Sequence, residues 1–303
     1  MKVNTLIIGA GRSGTTSLYE YLKQHPAICF SLTKEVHYFS IPELYKRGEN
    51  YFHSLFPDYK NQEIVATADT YLLIDKEAPA RIKKYNPAMK IIILLRDPVE
   101  RAYSNYNYSV NYGHEKEKMT FIESLSLENK RLHELNIVEQ NNLLHFYGSL
   151  YYQHISYWNQ FFPMENFMIL STEDLHKSPQ ETICRVFSFL GITEIKIDFS
   201  QKFNKASKVK SKFLQQVLLN RNHPLRNFLR FFLKPFRNLL IRSGMIDKIS
   251  SLNKSEAHIE PLSESDRQKA SAYFEKDLLQ LDTQYHIRFQ KFNNIYPASG
   301  SNS

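Results

Sequence analysis

Short apolar runs alternate with stretches in which apolar residues recur every three or four positions, and this alternation organises the first two thirds of the chain. Residues 3–8 read as a buried strand, and 16–23 as a helix turning Leu18 and Leu22 inward. Residues 27–30 and 64–66 are shorter strand candidates, and 77–85 is helical. The run KIIILL at 90–95 is the clearest buried strand. Asp97-Pro98 then supplies an N-cap and a proline at the first helical position, predicting a helix from there to about residue 110. A long helix is expected over 144–162, a strand over 167–170 and a helix over 179–190.

Continuous apolar strands separated by helices predict an α/β fold, a central parallel sheet covered by helices on both faces. No internal repeat or linker interrupts it, so a single domain over 1–296 is expected. The polar stretch 113–142 reads as an excursion from the core, a candidate lid, and 297–303 as a disordered tail.

Composition narrows the function classes. Two distant cysteines, Cys29 and Cys184, cannot build a disulfide framework and predict a reducing, cytoplasmic setting. No apolar run reaches the roughly 18 residues of a spanning helix, and the short run after Lys2 is no signal peptide. Eleven histidines show no HExxH or CxxC pairing, so no metal site is expected. The net charge of +8 is concentrated: residues 201–254 carry 13 Lys and Arg against one acid, Asp247.

The stretch LIIGAGRSGTTSL, residues 6–18, places a glycine turn between strand and helix, an arrangement that aims backbone N–H groups and a positive helix end at an anion. Three readings compete. Gly9, Gly11 and Gly14 satisfy the dinucleotide fingerprint, with Glu35 near the spacing of a ribose-binding acid, although Glu35 sits inside KEVHYF and not at the tip of a clean strand. A nucleoside-triphosphate loop fits Gly9 and Gly14 but has Thr15 where that chemistry requires lysine. The third reading puts the cation inside the loop: Arg12, followed by Ser13, Gly14, Thr15, Thr16 and Ser17, cradles a 5′-phosphosulfate without metal. A second constellation favours the third reading. In RDPVERAYSNY, Arg96 ends the best strand and Ser104 lies two turns into the next helix, so the two can clamp a second phosphate.

Together these stretches resemble the sulfotransferases that use 3′-phosphoadenosine 5′-phosphosulfate (PAPS), in the carbohydrate or heparan branch. GAGRSGTTSLYEYLKQHP is similar to their phosphosulfate loop, and RDPVERAYSNY to their 3′-phosphate element. KEVHYF is similar to the segment that carries a catalytic glutamate, and residues 151–191 to the family's helix–strand–EDL–helix ending. YFEKDLLQL, at 273–281, fits the terminal helix. Two departures stand out: Arg12 replaces the commoner lysine, and ATADTY puts Thr67 where many relatives have a cofactor-binding lysine, leaving open whether Lys34 takes its place.

The resemblance implies in-line transfer of a sulfuryl group from PAPS to a hydroxyl or amine of a sugar, natural product or lipid headgroup, with no nucleic-acid partner. Arg12 stabilises the departing phosphate oxygen, and Glu35 takes the acceptor proton with His37 close behind. The alternative remains an NAD(P)- or FAD-dependent oxidoreductase using the GAGRSG turn. In the basic segment, Arg226, Arg230, Lys234 and Arg237 make one stripe on a helix that Pro235 kinks or splits. That stripe either packs as an ordinary amphipathic face or docks an anionic acceptor or membrane surface, with Lys205 and Lys208 as its cofactor-side contacts.

Overall fold

The computed structural model describes residues 1–115, 118–201, 207–209, 254–256 and 259–296. The chain forms two compact units, one of Met1–Asn105, Phe121–Asn204 and Leu262–Ser303, the other of Tyr106–Thr120 and Lys205–Pro261. The first unit carries a five-stranded sheet built from β1 (Thr5–Gly9), β2 (Ile28–Phe30), β3 (Ile64–Ala68), β4 (Lys90–Leu95) and β5 (Phe167–Ser171). All its pairings are parallel, and the strand order is β2-β3-β1-β4-β5. The apolar run of β4 is enclosed on both faces, with Ile91 to Leu94 fully buried, which is why it shows no alternation.

Helices follow the strands: α1 (Thr15–Leu22) after β1, then the short α2 (Pro42–Tyr45) and α3 (Gly48–His53), and α4 (Ala78–Tyr85) before β4. Leu18 and Leu22 of α1 share one apolar cluster with Ile92 and Leu94 of β4 and with Val186 and Phe187. The helix α5 (Pro98–Tyr112) begins as expected, with Asp97 Oδ1 accepting from Glu100 N–H at 2.9 Å.

From Phe121 onward the polar stretch 113–142 folds as α6 (Phe121–Leu125), α7 (Glu128–Glu134) and α8 (Ile137–Leu143). Phe121 is buried and stacks on Phe146 at 4.7 Å, and Asn136 opens α8 with a capping box. The long helix expected over 144–162 is broken into a 3₁₀ turn, Tyr147–Ser149, and α9 (Tyr151–Asn159). The cause is Glu128, whose buried carboxylate accepts the N–H groups of Phe146 and Tyr147 at 3.0 and 2.7 Å and removes them from a helical ladder.

After β5 come α10 (Thr172–Lys177) and α11 (Pro179–Leu190), the latter as expected. The two-stranded ladder of the second unit pairs β6 (Ser207–Val209) antiparallel with β7 (Lys254–Glu256), setting Lys208 opposite Ser255. The terminal helix is longer than its motif: α12 spans Glu264–Tyr285. Its Asp277 accepts the N–H groups of Tyr152 and Gln153, both at 3.0 Å, and so caps α9 from another element. Lys205, the stripe from Arg226 to Arg237 and the tail at 297–303 lie outside the described residues. Among the described residues no helix is long and apolar enough to cross a membrane.

Candidate active site

The loop between β1 and α1 opens at the carboxyl end of the central strand, where ligands bind in parallel sheets. Gly14 takes a left-handed conformation, φ 92°, as the N-cap of α1, and no side chain caps the N–H groups of the first turn. Ser13 and Thr15 are buried, Thr16 and Ser17 half-buried, and Arg12 exposed at the tip. Thr172 anchors the loop from β5's side: its hydroxyl lies 2.7 Å from the Ser13 carbonyl and 2.9 Å from that of Leu95. An uncapped helix start, held open and flanked by arginine, fits a phosphate or sulfate group.

The second constellation converges on the first. Arg12 Nε donates to Ser104 Oγ at 3.5 Å, and Arg96 Nη1 to the Arg12 carbonyl at 3.5 Å. Arg96 also pairs with Glu100 at 3.0 Å, one turn along α5, while the Tyr151 hydroxyl donates to the Arg96 carbonyl at 2.8 Å. Burial raises the proton affinity of Glu100, but Lys291 and Arg96 outweigh it and pull its pKa down to about 2. Glu100 therefore stays ionised and orients Arg96. Residues 12, 96 and 104 thus meet at one place, from two strands' ends and a helix.

Glu35 and His37 enter from the loop after β2. The Glu35 carboxylate pairs with Lys34 and accepts the Thr70 N–H at 2.8 Å, with the Thr70 hydroxyl 3.2 Å from both of its oxygens. His37 Nδ1 lies 3.1 Å from Asp69 Oδ1, and its ring packs on Tyr71 with centroids 4.2 Å apart. Burial raises the pKa of Glu35; Lys34 opposes this, and Asp69 adds to it. Donor atoms of Glu35, His37 and Asp69 lie within 4.8 Å of one another, close enough to share one cation, although each already has a protein partner.

Thr70 ties the two halves together. A Cβ on Gly11 would stand 3.6 Å from Thr70 Oγ1, so the missing side chain lets the loop approach the residue that holds Glu35. Thr67, where the cofactor lysine of relatives was missed, is buried and bonds to Ser31 Oγ at 2.8 Å, while Lys34 is committed to Glu35. Among the described residues five non-glycine positions have left-handed backbones, and three of them are Arg12, Glu35 and His37. Such conformations cost about 1–3 kcal/mol each and persist where the surroundings enforce them. Sequence reasoning missed Asp69, Thr70 and Thr172. The first two lie in ATADTY, read only as a departure, and Thr172 carried no signal beyond its place after a strand.

A sequence model described as the sulfotransferase domain matches residues 2–230. Human heparan sulfate glucosamine 3-O-sulfotransferase 6 is 31% identical over 199 residues, covering 66% of this chain and 55% of that protein. The membrane-associated sulfotransferase kil1 of Dictyostelium discoideum is 26% identical over 268 residues, 63% of this chain and 56% of that protein. The chain thus spans about half the length of the curated relatives it matches. A sulfotransferase crystal structure from Alicyclobacillus acidocaldarius shares the fold, with a TM-score of 0.69 at 22% identity over 96% of this chain and 98% of that one.

Proposed function

The chain belongs to the sulfotransferase family, and from that premise we propose that it transfers a sulfuryl group from PAPS to a hydroxyl or amine of a carbohydrate or small-molecule acceptor. One observation carries the reading: the anion loop and a candidate base are joined through Thr70, which touches Glu35 and borders Gly11. In the in-line step, the acceptor oxygen bonds to sulfur as the sulfur–oxygen bond to the 5′-phosphate breaks, leaving its electron pair on the phosphate oxygen. Arg12 and the first-turn N–H groups of α1 neutralise that oxygen. Glu35 takes the acceptor proton from the opposite side, and burial, which raises its proton affinity above that of an ordinary glutamate, makes it a stronger base. Arg96 and Ser104 fix the 3′-phosphate, and Ser13, Thr15, Thr16 and Ser17 line the 5′ side.

The dinucleotide alternative is not supported. That fold sets its first strand beside the second, in the order 3-2-1-4-5-6, whereas here β1 lies between β3 and β4. Glu35 also bonds to Thr70 and is not at a strand tip. The relatives' names favour a sugar hydroxyl as the first acceptor to try, with natural products and lipid headgroups behind it. Cys29 and Cys184, neither in a disulfide, support a cytoplasmic setting. The basic segment at 201–254 extends the reading to an anionic acceptor or membrane surface. The test is incubation of purified protein with PAPS and a panel of heparan oligosaccharides, phenols and lipids, read by mass spectrometry. A product 80 mass units heavier, appearing with the bisphosphate product, is the expected result; bisphosphate binding no tighter than that of NAD would overturn the reading.

A further inference from the structure

We propose that Asp69 is a positioning residue of the transfer reaction, holding His37 by its ring nitrogen and lending its negative charge to Glu35 so that Glu35 remains a strong enough base. The inference rests on the assignment of Glu35 as the base. Its ground is geometric. Asp69 follows β3 directly, its side chain is 2% exposed, and Oδ1 is 3.1 Å from His37 Nδ1 while also accepting the Tyr71 N–H at 3.2 Å. The next residue, Thr70, gives its own N–H to Glu35. Two successive residues at one strand end therefore hold both members of the Glu35–His37 pair, and both members sit on left-handed backbones that need such enforcement.

The charges around the pair give Asp69 a specific effect. Lys34 and His37 face Glu35 from its own loop, and Asp69 faces it from β3. Asp75, further along the same stretch, is near enough to feel Asp69. Lys34 and His37 both favour the ionised, less basic form of Glu35, and Asp69 opposes them. Burial would raise Asp69 itself, but His37, the Tyr71 N–H and the Glu35 carboxyl together hold it below the usual carboxylate range. The pair therefore splits into one carboxyl that binds a proton readily and one that stays ionised. When the acceptor O–H bond breaks, its proton moves to Glu35. Asp69 gains no proton; it keeps the hydrogen bond to His37 and offsets the charge of Lys34 beside the base.

The test needs no acceptor. In full-length protein carrying ¹³C-carboxyl labels, the Glu35 signal is identified by its loss in Glu35→Gln, and its titration is followed by NMR. Wild type should titrate above the ordinary glutamate range, and Asp69→Asn should lower that midpoint by about one pH unit or more. An unchanged midpoint overturns the proposal. Should Asp69→Asn fail to fold, wild type alone decides: Asp69 must titrate below Glu35, and the reverse order overturns the proposal. With PAPS and the acceptor found by the panel, Asp69→Asn should lose about 10–100-fold in kcat with bisphosphate affinity unchanged, and Asp69→Glu should recover part of it. A shifted midpoint together with wild-type turnover in Glu35→Gln would refute the base assignment, whereas an inactive Glu35→Gln with an unshifted midpoint would refute only the role of Asp69.

Discussion

At the scale of single residues, the proposed reaction assigns binding and proton transfer to different side chains. Arg12 touches Ser104 through its side chain and Arg96 through its carbonyl, so it belongs to both anion positions. Arg12→Ala should therefore weaken bisphosphate binding and turnover together. Arg12→Lys should keep part of each, because a lysine supplies the charge without the planar fork. Glu35 contacts Thr70 and Lys34. Glu35→Gln should cut kcat by about 10²–10⁴ while calorimetry finds the bisphosphate bound as in wild type. A ligand lacking the 3′-phosphate should bind about 2–4 kcal/mol more weakly, the scale of losing one partner of a charged, hydrogen-bonded pair. Equal affinity for the two nucleotides would mean that Arg96 and Ser104 do not form a second anion site.

At the scale of elements, the parts written in local sequence were legible and those held from a distance were not. The strand KIIILL and the Asp97-Pro98 helix start declare themselves because burial on both faces and a cap leave direct marks. Arg12, Glu35, His37, Arg96 and Ser104 were legible as candidates because each lies in a compact motif. The break at 144–150 was missed because its cause, Glu128, lies 18 residues away from Phe146 and looks like any helix-surface glutamate. Asp69 and Thr70 were missed because their partners are 32 and 35 residues distant, across a sheet edge no periodicity reveals. Asp277 works in the same hidden way: buried in α12, it caps α9, whose Tyr151 holds the Arg96 carbonyl. Asp277→Ala should cost about 1–2 kcal/mol in urea unfolding, the scale of a lost cap. It should also weaken bisphosphate binding through Tyr151 and Arg96. Unfolding with no loss of affinity would show that α9 keeps its place without that carboxylate.

At the scale of the whole molecule, the buried carboxylates that build the fold make stability depend on pH, and Glu128 is the clearest case. Burial pushes its pKa up to about 7 despite the N–H groups of Phe146, Tyr147 and His145 and the nearby Arg101. Asp75 and Asp277, likewise buried, stand at about 6. Each of these folded values exceeds the unfolded one, so between the two the native chain keeps a proton that the unfolded chain has lost. Their contribution is full below about pH 4 and is lost as pH rises through 6 to 7. His154 acts in the opposite sense: burial lowers it to about 3, so its contribution is full above the unfolded value and falls away in acid. The net curve of the wild type mixes these trends, but the comparison with Glu128→Gln isolates one of them, because glutamine does not titrate. The stability of wild type relative to Glu128→Gln should shrink by about 2 kcal/mol between pH 5 and pH 7.5, measured as the difference in urea-unfolding free energy at each pH. A difference that stays constant would place the Glu128 carboxyl in water, and the loop from Phe146 to Ser149 would need another anchor. A shrinking difference would instead show that the break before α9, which sets Tyr151 under Arg96, depends on a carboxyl kept from solvent.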